Sequence, residues 1–154
     1  MNLPMLVITA LVLMTASTGA IFKPGAWYAS LDRPAWTPPN WLFPIVWTVL
    51  YVLIGIAGWR AWQAGETVLI ALWLVQLAAN AAWSWLFFGR RNMRQAMVDV
   101  VVLLATVIAF IAAAAATLPS AAALFVPYAL WVATAATLNW QMIKLNPHRA
   151  RGER

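Results

Sequence analysis

The chain contains no cysteine, one histidine and four acidic residues among its 154. Without thiols, disulfides and thiolate chemistry are excluded. His148 follows Pro147 near the carboxyl end, and Asp32, Glu66, Asp99 and Glu153 are scattered along the chain. Neither a carboxylate pair for acid–base work nor a metal-ligand cluster can be built from that inventory, and no phosphate-cradling glycine loop is seen. Charged residues make up 9% of the chain, against roughly 25% in an ordinary soluble domain.

What is present is apolar. Hydrophobic residues account for 64%, the mean hydropathy is +0.78, and 11 residues are tryptophan. Five apolar runs fall at about residues 3 to 21, 42 to 62, 67 to 88, 95 to 117 and 120 to 143. At ~1.5 Å per residue each is long enough to cross a ~30 Å hydrocarbon core. The runs are continuous and rich in Ala and Leu, which disfavours a transmembrane β-barrel, whose strands alternate over about 10 residues. The predicted fold is therefore all-α, an integral membrane bundle of five transmembrane helices. It forms a single domain over 1–145, with a long Pro/Trp-rich first loop at 22–41 and a basic polar tail at 146–154. The other loops, at 63–66, 89–94 and 118–119, are short.

Five spans place Arg60 alone on one side of the bilayer. Lys23, Arg33, Arg90, Arg91, Arg94, Lys144, Arg149, Arg151 and Arg154 lie on the other. The positive-inside rule then predicts that the long loop and the carboxyl terminus are cytoplasmic. The net charge of +6 is accordingly read as topological, with the lipid bilayer as partner and no nucleic acid. No Lys or Arg precedes Lys23, so the first run lacks the basic region of a cleaved signal peptide and is expected to be retained as a span.

In the long loop, Pro34, Pro38 and Pro39 stiffen a segment that carries Trp27, Trp36 and Trp41. Such a segment suits a folded cap over the bundle mouth; interfacial anchoring in an aromatic belt is the alternative. Three helical stripes follow: Phe43, Trp47, Tyr51, Ile54 and Gly58; Gln76, Asn80, Trp83 and Phe87; and Tyr128, Trp131, Ala135, Leu138 and Met142. Each joins large aromatics to small or polar positions, a pairing that suits either a flat ligand stacked between rings or tight helix packing. Asp99, inside the fourth span, calls for a partner, which Arg90, Arg91 or Arg94 is near enough to supply. Pro127 is expected to bend the fifth span. A haem iron would find only methionines as ligands within the membrane, and Met93, Met97 and Met142 have no evident partner, so a tetrapyrrole would be held by stacking and polar edge contacts without protein axial ligation.

Three segments carry a resemblance: PAWTPPNWLFPIVWTVLY from Pro34 to Tyr51, QLAANAAWSWLFFG from Gln76 to Gly89, and FVPYALWVATAATLNW from Phe125 to Trp140. Together they resemble the TspO family, the tryptophan-rich sensory proteins of bacteria and the mitochondrial translocator protein once called the peripheral benzodiazepine receptor. The resemblance covers about residues 3 to 145. It implies a five-helix bundle, often dimeric, in a bacterial membrane, that binds porphyrins in a pocket closed by the first loop. Benzodiazepine- and isoquinoline-type ligands enter the same pocket in relatives.

By position in the motifs, Trp47 and Trp131 resemble the paired pocket tryptophans on which ligand binding and tetrapyrrole photodegradation are centred. Tyr51, Asn80, Trp83, Ala135 and Leu138 resemble other pocket positions, and Trp27, Trp36 and Pro39 the lid. The expectation is a porphyrin-binding protein that acts as sensor or regulator, or in tetrapyrrole handling and transport, with no resident cofactor and no metal. The alternative is a light- and oxygen-dependent porphyrin-degrading enzyme that uses Trp47 and Trp131. The family's sterol motif departs here, because Leu138, Trp140 and Lys144 have the spacing but Trp replaces Tyr, so sterol binding is expected to be weak. Ala71, Val75, Ala78, Ala79 and Ala82 offer the third span a face for a homodimer.

Overall fold

The computed structural model describes residues 2–151, so Glu153 and Arg154 of the basic tail lie outside the described residues. Among those described there is no strand. Helices run over Leu3–Ile21 (α1), Ala26–Ala29 (α2), Leu42–Gln63 (α3), Thr67–Ser84 (α4), Met93–Thr117 (α5) and Pro119–Leu145 (α6). Five helical stretches are long and apolar enough to cross a membrane, the third being α4 together with the π-helical turn Trp85–Gly89. The protein is therefore a multi-pass, all-α membrane bundle.

Local chemistry sets the helix ends. Asn2 accepts the Met5 N–H at 3.3 Å to begin α1, and Asn92 accepts the Gln95 N–H at 3.0 Å to begin α5. Gly65, at φ 69°, takes the left-handed position between α3 and α4. Pro119 opens α6 where its missing N–H costs nothing. Pro127 lies farther along, and α6 continues as one helix through it. Two elements depart from the sequence reading. The short α2 lies within the long loop, and α4 ends in a wide turn in which the Arg90 N–H reaches the Trp85 carbonyl at 2.7 Å.

The spans close into a ring. α1 packs on α3 and α4, α3 on α6, α6 on α5, and α5 on α4. Outward positions are apolar, among them Val49, Val52, Val68, Val98 and Leu130, as a lipid-facing surface requires. Ala71, Val75 and Ala78 face outward and Ala82 is half-buried, whereas Ala79 turns into the core. The interior has two clusters. One centres on Ile54, Phe110, Phe125 and Tyr128. The other, at the end of the bundle bearing the long loop, gathers Trp27, Leu31, Phe87, Met93, Leu138 and Met142.

A single glycine governs how α3 and α4 meet. The Trp73 indole lies across α3 and donates to the Ile54 carbonyl at 2.8 Å. A Cβ on Gly58 would overlap that ring. Gly58→Ala should therefore displace Trp73 and destabilise the bundle by about 1–3 kcal/mol, seen as a lower Tm in detergent; an unchanged Tm would mean that the ring yields freely.

Candidate functional site

A cavity of about 480 Å³ opens between the second half of α1, the start of α3, the end of α4 and the middle of α6. That volume suits a drug-sized ligand. Trp47, Tyr51, Trp83, Trp131 and Ala135 stand on its wall. Their rings are braced by neighbours. Trp47 stacks on Tyr51 with centroids 5.4 Å apart, and its ring also lies 6.3 Å from Tyr128, edge to face. Phe43 meets Trp131 edge to face at 5.5 Å. Trp83 stacks on Phe87 at 5.1 Å and crosses Phe88 at 5.8 Å. Offset and edge-on pairs of this kind hold aromatic faces in place before any ligand arrives.

Behind the wall runs a chain of hydrogen bonds. The Tyr51 hydroxyl donates to Asn80 Oδ1 at 2.9 Å, Asn80 Nδ2 donates to the Tyr128 hydroxyl at 2.8 Å, and that hydroxyl donates to Gln76 Oε1 at 2.9 Å. Asn80 thus sits one layer behind the cavity, fixing Tyr51 rather than lining the space. Leu138, 8% exposed, lies in the loop-end cluster with Trp27 and Met142 and is not on the wall. It is three residues beyond Ala135 on the same side of α6, and the rise of about 1.5 Å per residue carries it along the axis to the level of the loop-end cluster. Of the spaced sterol-type residues, Leu138 is therefore internal, while Trp140 is exposed with the Lys144 ammonium 3.7 Å from its ring centroid.

Asp99 departs from the ion pair expected of it. Its Oδ2 is buried with no hydrogen-bond partner among the described residues.

The loop closes the cavity with residues that the sequence reading did not single out for the purpose. Phe22, Lys23, Pro24, Tyr28 and Asn40 stand on the wall, opposite the small residues Ala16, Gly19 and Ala20 of α1. Trp27 is 8% exposed and meets Phe87 edge to face at 5.9 Å, inside the loop-end cluster. Trp36 is exposed, and its Nε1 donates to Gln141 Oε1 of α6 at 3.0 Å. Pro39 lies in a neighbouring polar groove with Asp32, Arg33 and Thr37. These three anchor or shape the loop at a distance from the cavity wall. Gly89, at the end of the π turn, admits the Phe22 ring, because a Cβ there would come within 2.9 Å of it.

The tail beyond α6 is part of the same assembly. Asn146 accepts the Asp32 N–H at 3.0 Å and donates to the Asp32 carbonyl at 2.9 Å. The Arg149 guanidinium reaches Ser30 Oγ at 3.0 Å, the Ala150 carbonyl accepts the Arg94 N–H at 3.1 Å, and Ala150 is 0% exposed.

Comparison with known proteins bears on this arrangement. The TspO/MBR family profile matches residues 5–145. The chain belongs to the TspO/MBR family. It is 42% identical over 136 residues to the protein CrtK of Rhodobacter capsulatus, covering 85% of each chain. A tryptophan-rich sensory protein of Cereibacter sphaeroides is 40% identical over 135 residues, covering 87% of this chain and 85% of its own. The translocator protein of Ovis aries is 39% identical over 134 residues, covering 83% and 79%. The matched TspO/MBR region contains the whole of the long loop and every span but for the first two residues of α1.

Asn146→Ala removes both bonds to Asp32. Amide exchange over residues 26–32 should then accelerate about tenfold, the equivalent of roughly 1–1.5 kcal/mol, with the middle of the bundle unaffected. Equal exchange in the variant would mean that the tail does not hold the loop.

Proposed function

We propose that this protein is a membrane-embedded binding protein for porphyrins and other flat, largely apolar molecules, benzodiazepine- and isoquinoline-type ligands among them, and that it acts as a sensor or regulator in tetrapyrrole handling. The observation that carries this reading is the aromatic cavity, with Trp47 and Trp131 on its wall and each braced by a neighbouring ring. Ring faces attract a planar π-system, and Thr48, Ser84 and Asn40 on the same wall supply polar edges that set its orientation. No His or Cys stands on the wall, so a porphyrin is held by stacking and edge contacts, without axial ligation. The segregation of basic residues supports a cytoplasmic loop and tail, and with that orientation the loop end of the cavity lies on the side where a signal would be read. The names of the sensory and translocator relatives accord with such a role. Self-association through the outward face of Ala71, Val75 and Ala78 is part of the same proposal.

Two measurements test it. Protoporphyrin should quench the protein's tryptophan fluorescence in nanodiscs to saturation, and Trp47→Ala and Trp131→Ala should each weaken binding about five- to 150-fold, on the scale of an aromatic stacking contact. Wild-type affinity in both variants would sink the assignment. Ala78→Leu should shift the detergent-corrected mass toward monomer, and an unchanged dimer would place the interface elsewhere.

A further inference from the structure

The cavity wall has one charged side chain among the described residues, that of Lys23, and no carboxylate. Lys23 follows directly on Phe22, the residue at the end of α1, and is itself followed by Pro24. All three stand on the wall at its loop end, where Lys23 is exposed, while Trp47 and Trp131 stand on α3 and α6. Asn40 belongs to the wall of the cavity and also to that of the polar groove formed by Leu31 to Pro34 and Thr37 to Pro39. An apolar slot thus adjoins a polar groove, and Asn40 stands between them.

The charges around the junction are Lys23, Arg33 and Asp32. The Arg33 guanidinium lies 5.1 Å from the centroid of the Tyr28 ring, and Tyr28 is on the cavity wall. The Asp32 backbone is clamped by Asn146, which fixes the groove in which its carboxylate lies. The junction carries a net positive charge. An anion entering it is met by the exposed Lys23 at the loop end of the cavity, a contact that water and salt screen in part. A cationic ligand finds no acid on the cavity wall. A neutral ligand gains nothing from Lys23.

We infer that, among flat aromatic molecules, the cavity prefers those that carry an anionic arm over their uncharged counterparts, and that Lys23 is the specificity-determining residue that reads the arm. The planar body lies among the rings and the carboxylate points toward the loop. This inference rests on the reading of the cavity as a binding site and adds to it the chemical class and the orientation of the ligand.

The test compares protoporphyrin, a diacid, with its dimethyl ester, by saturable quenching of tryptophan fluorescence in phosphatidylcholine nanodiscs. The two compounds share a ring system and differ in charge. Because they partition differently into lipid, the readout is the ratio of their affinities in wild type against the same ratio in each variant. Lys23→Gln should lower the diacid preference by roughly three- to tenfold, the range expected of one partly exposed charge-assisted contact. Lys23→Arg should retain it. Added salt should erode the preference in wild type and leave Lys23→Gln unmoved. An unchanged ratio in Lys23→Gln, with both compounds still bound, would overturn the role of Lys23 and leave the binding reading standing. Saturable binding of neither compound to wild type would overturn both.

Discussion

Inside hydrocarbon a polar group has no water to fall back on, and the organisation of this bundle follows from that constraint. Tyr51, Asn80, Tyr128 and Gln76 come from α3, α4 and α6, and three hydrogen bonds of 2.8–2.9 Å join them. Each bond is directional, so the three helices are fixed in rotation as well as in separation. Apolar packing alone would tolerate sliding, since one leucine contact resembles the next. The rotation set by the polar chain turns Trp47 and Tyr51 toward the cavity and buries Tyr128 completely.

Cavity and core are therefore two faces of one construction. Trp47 touches both, through its stacking on Tyr51 and its edge-on approach to Tyr128. Trp83 does the same on α4, with Phe87 buried behind it and Phe88 on the wall beside it. Phe87 and Phe88, adjacent in the chain and so set well apart around the helix axis, are used on different sides. Under the proposed binding role, ring faces already braced by neighbours would keep the entropic cost of a stacked ligand low.

Much of this was legible in the sequence. The spans could be read because continuous apolar runs near 20 residues have few alternatives once charge is scarce. Trp47, Tyr51, Trp83, Trp131 and Ala135 could be placed on stripes because helical spacing is periodic. The limits are equally physical. A stripe that includes Asn80 and Leu138 does not say which edge of it faces the cavity or how far along it the cavity extends, since that depends on how each helix is rotated and shifted against its neighbours. The contribution of α1 was hidden because Ala16, Gly19 and Ala20 carry no chemistry of their own; they matter by leaving room. The turn Ala26–Ala29 is too short to show a period. Trp27, Trp36 and Pro39 were read as one lid, yet they are distributed among a packed interior, an α6 contact and a groove. Composition could not have separated those roles.

The pairing of Asp32 with Asn146 spans 114 positions of sequence, and that separation has a bearing on assembly during synthesis. Residues 26–32 leave the ribosome long before their clamp exists, and four further spans must insert before Asn146 can reach them. Loop closure over that distance is slow to be rewarded, since its entropic cost precedes its contacts. The membrane helices can thus be in place while the loop end of the cavity is still unformed, and its completion waits for the segment that follows α6. A chain interrupted at the end of α6 would insert as a bundle with its first loop unfastened, which makes that fastening a late checkpoint on the five spans that precede it.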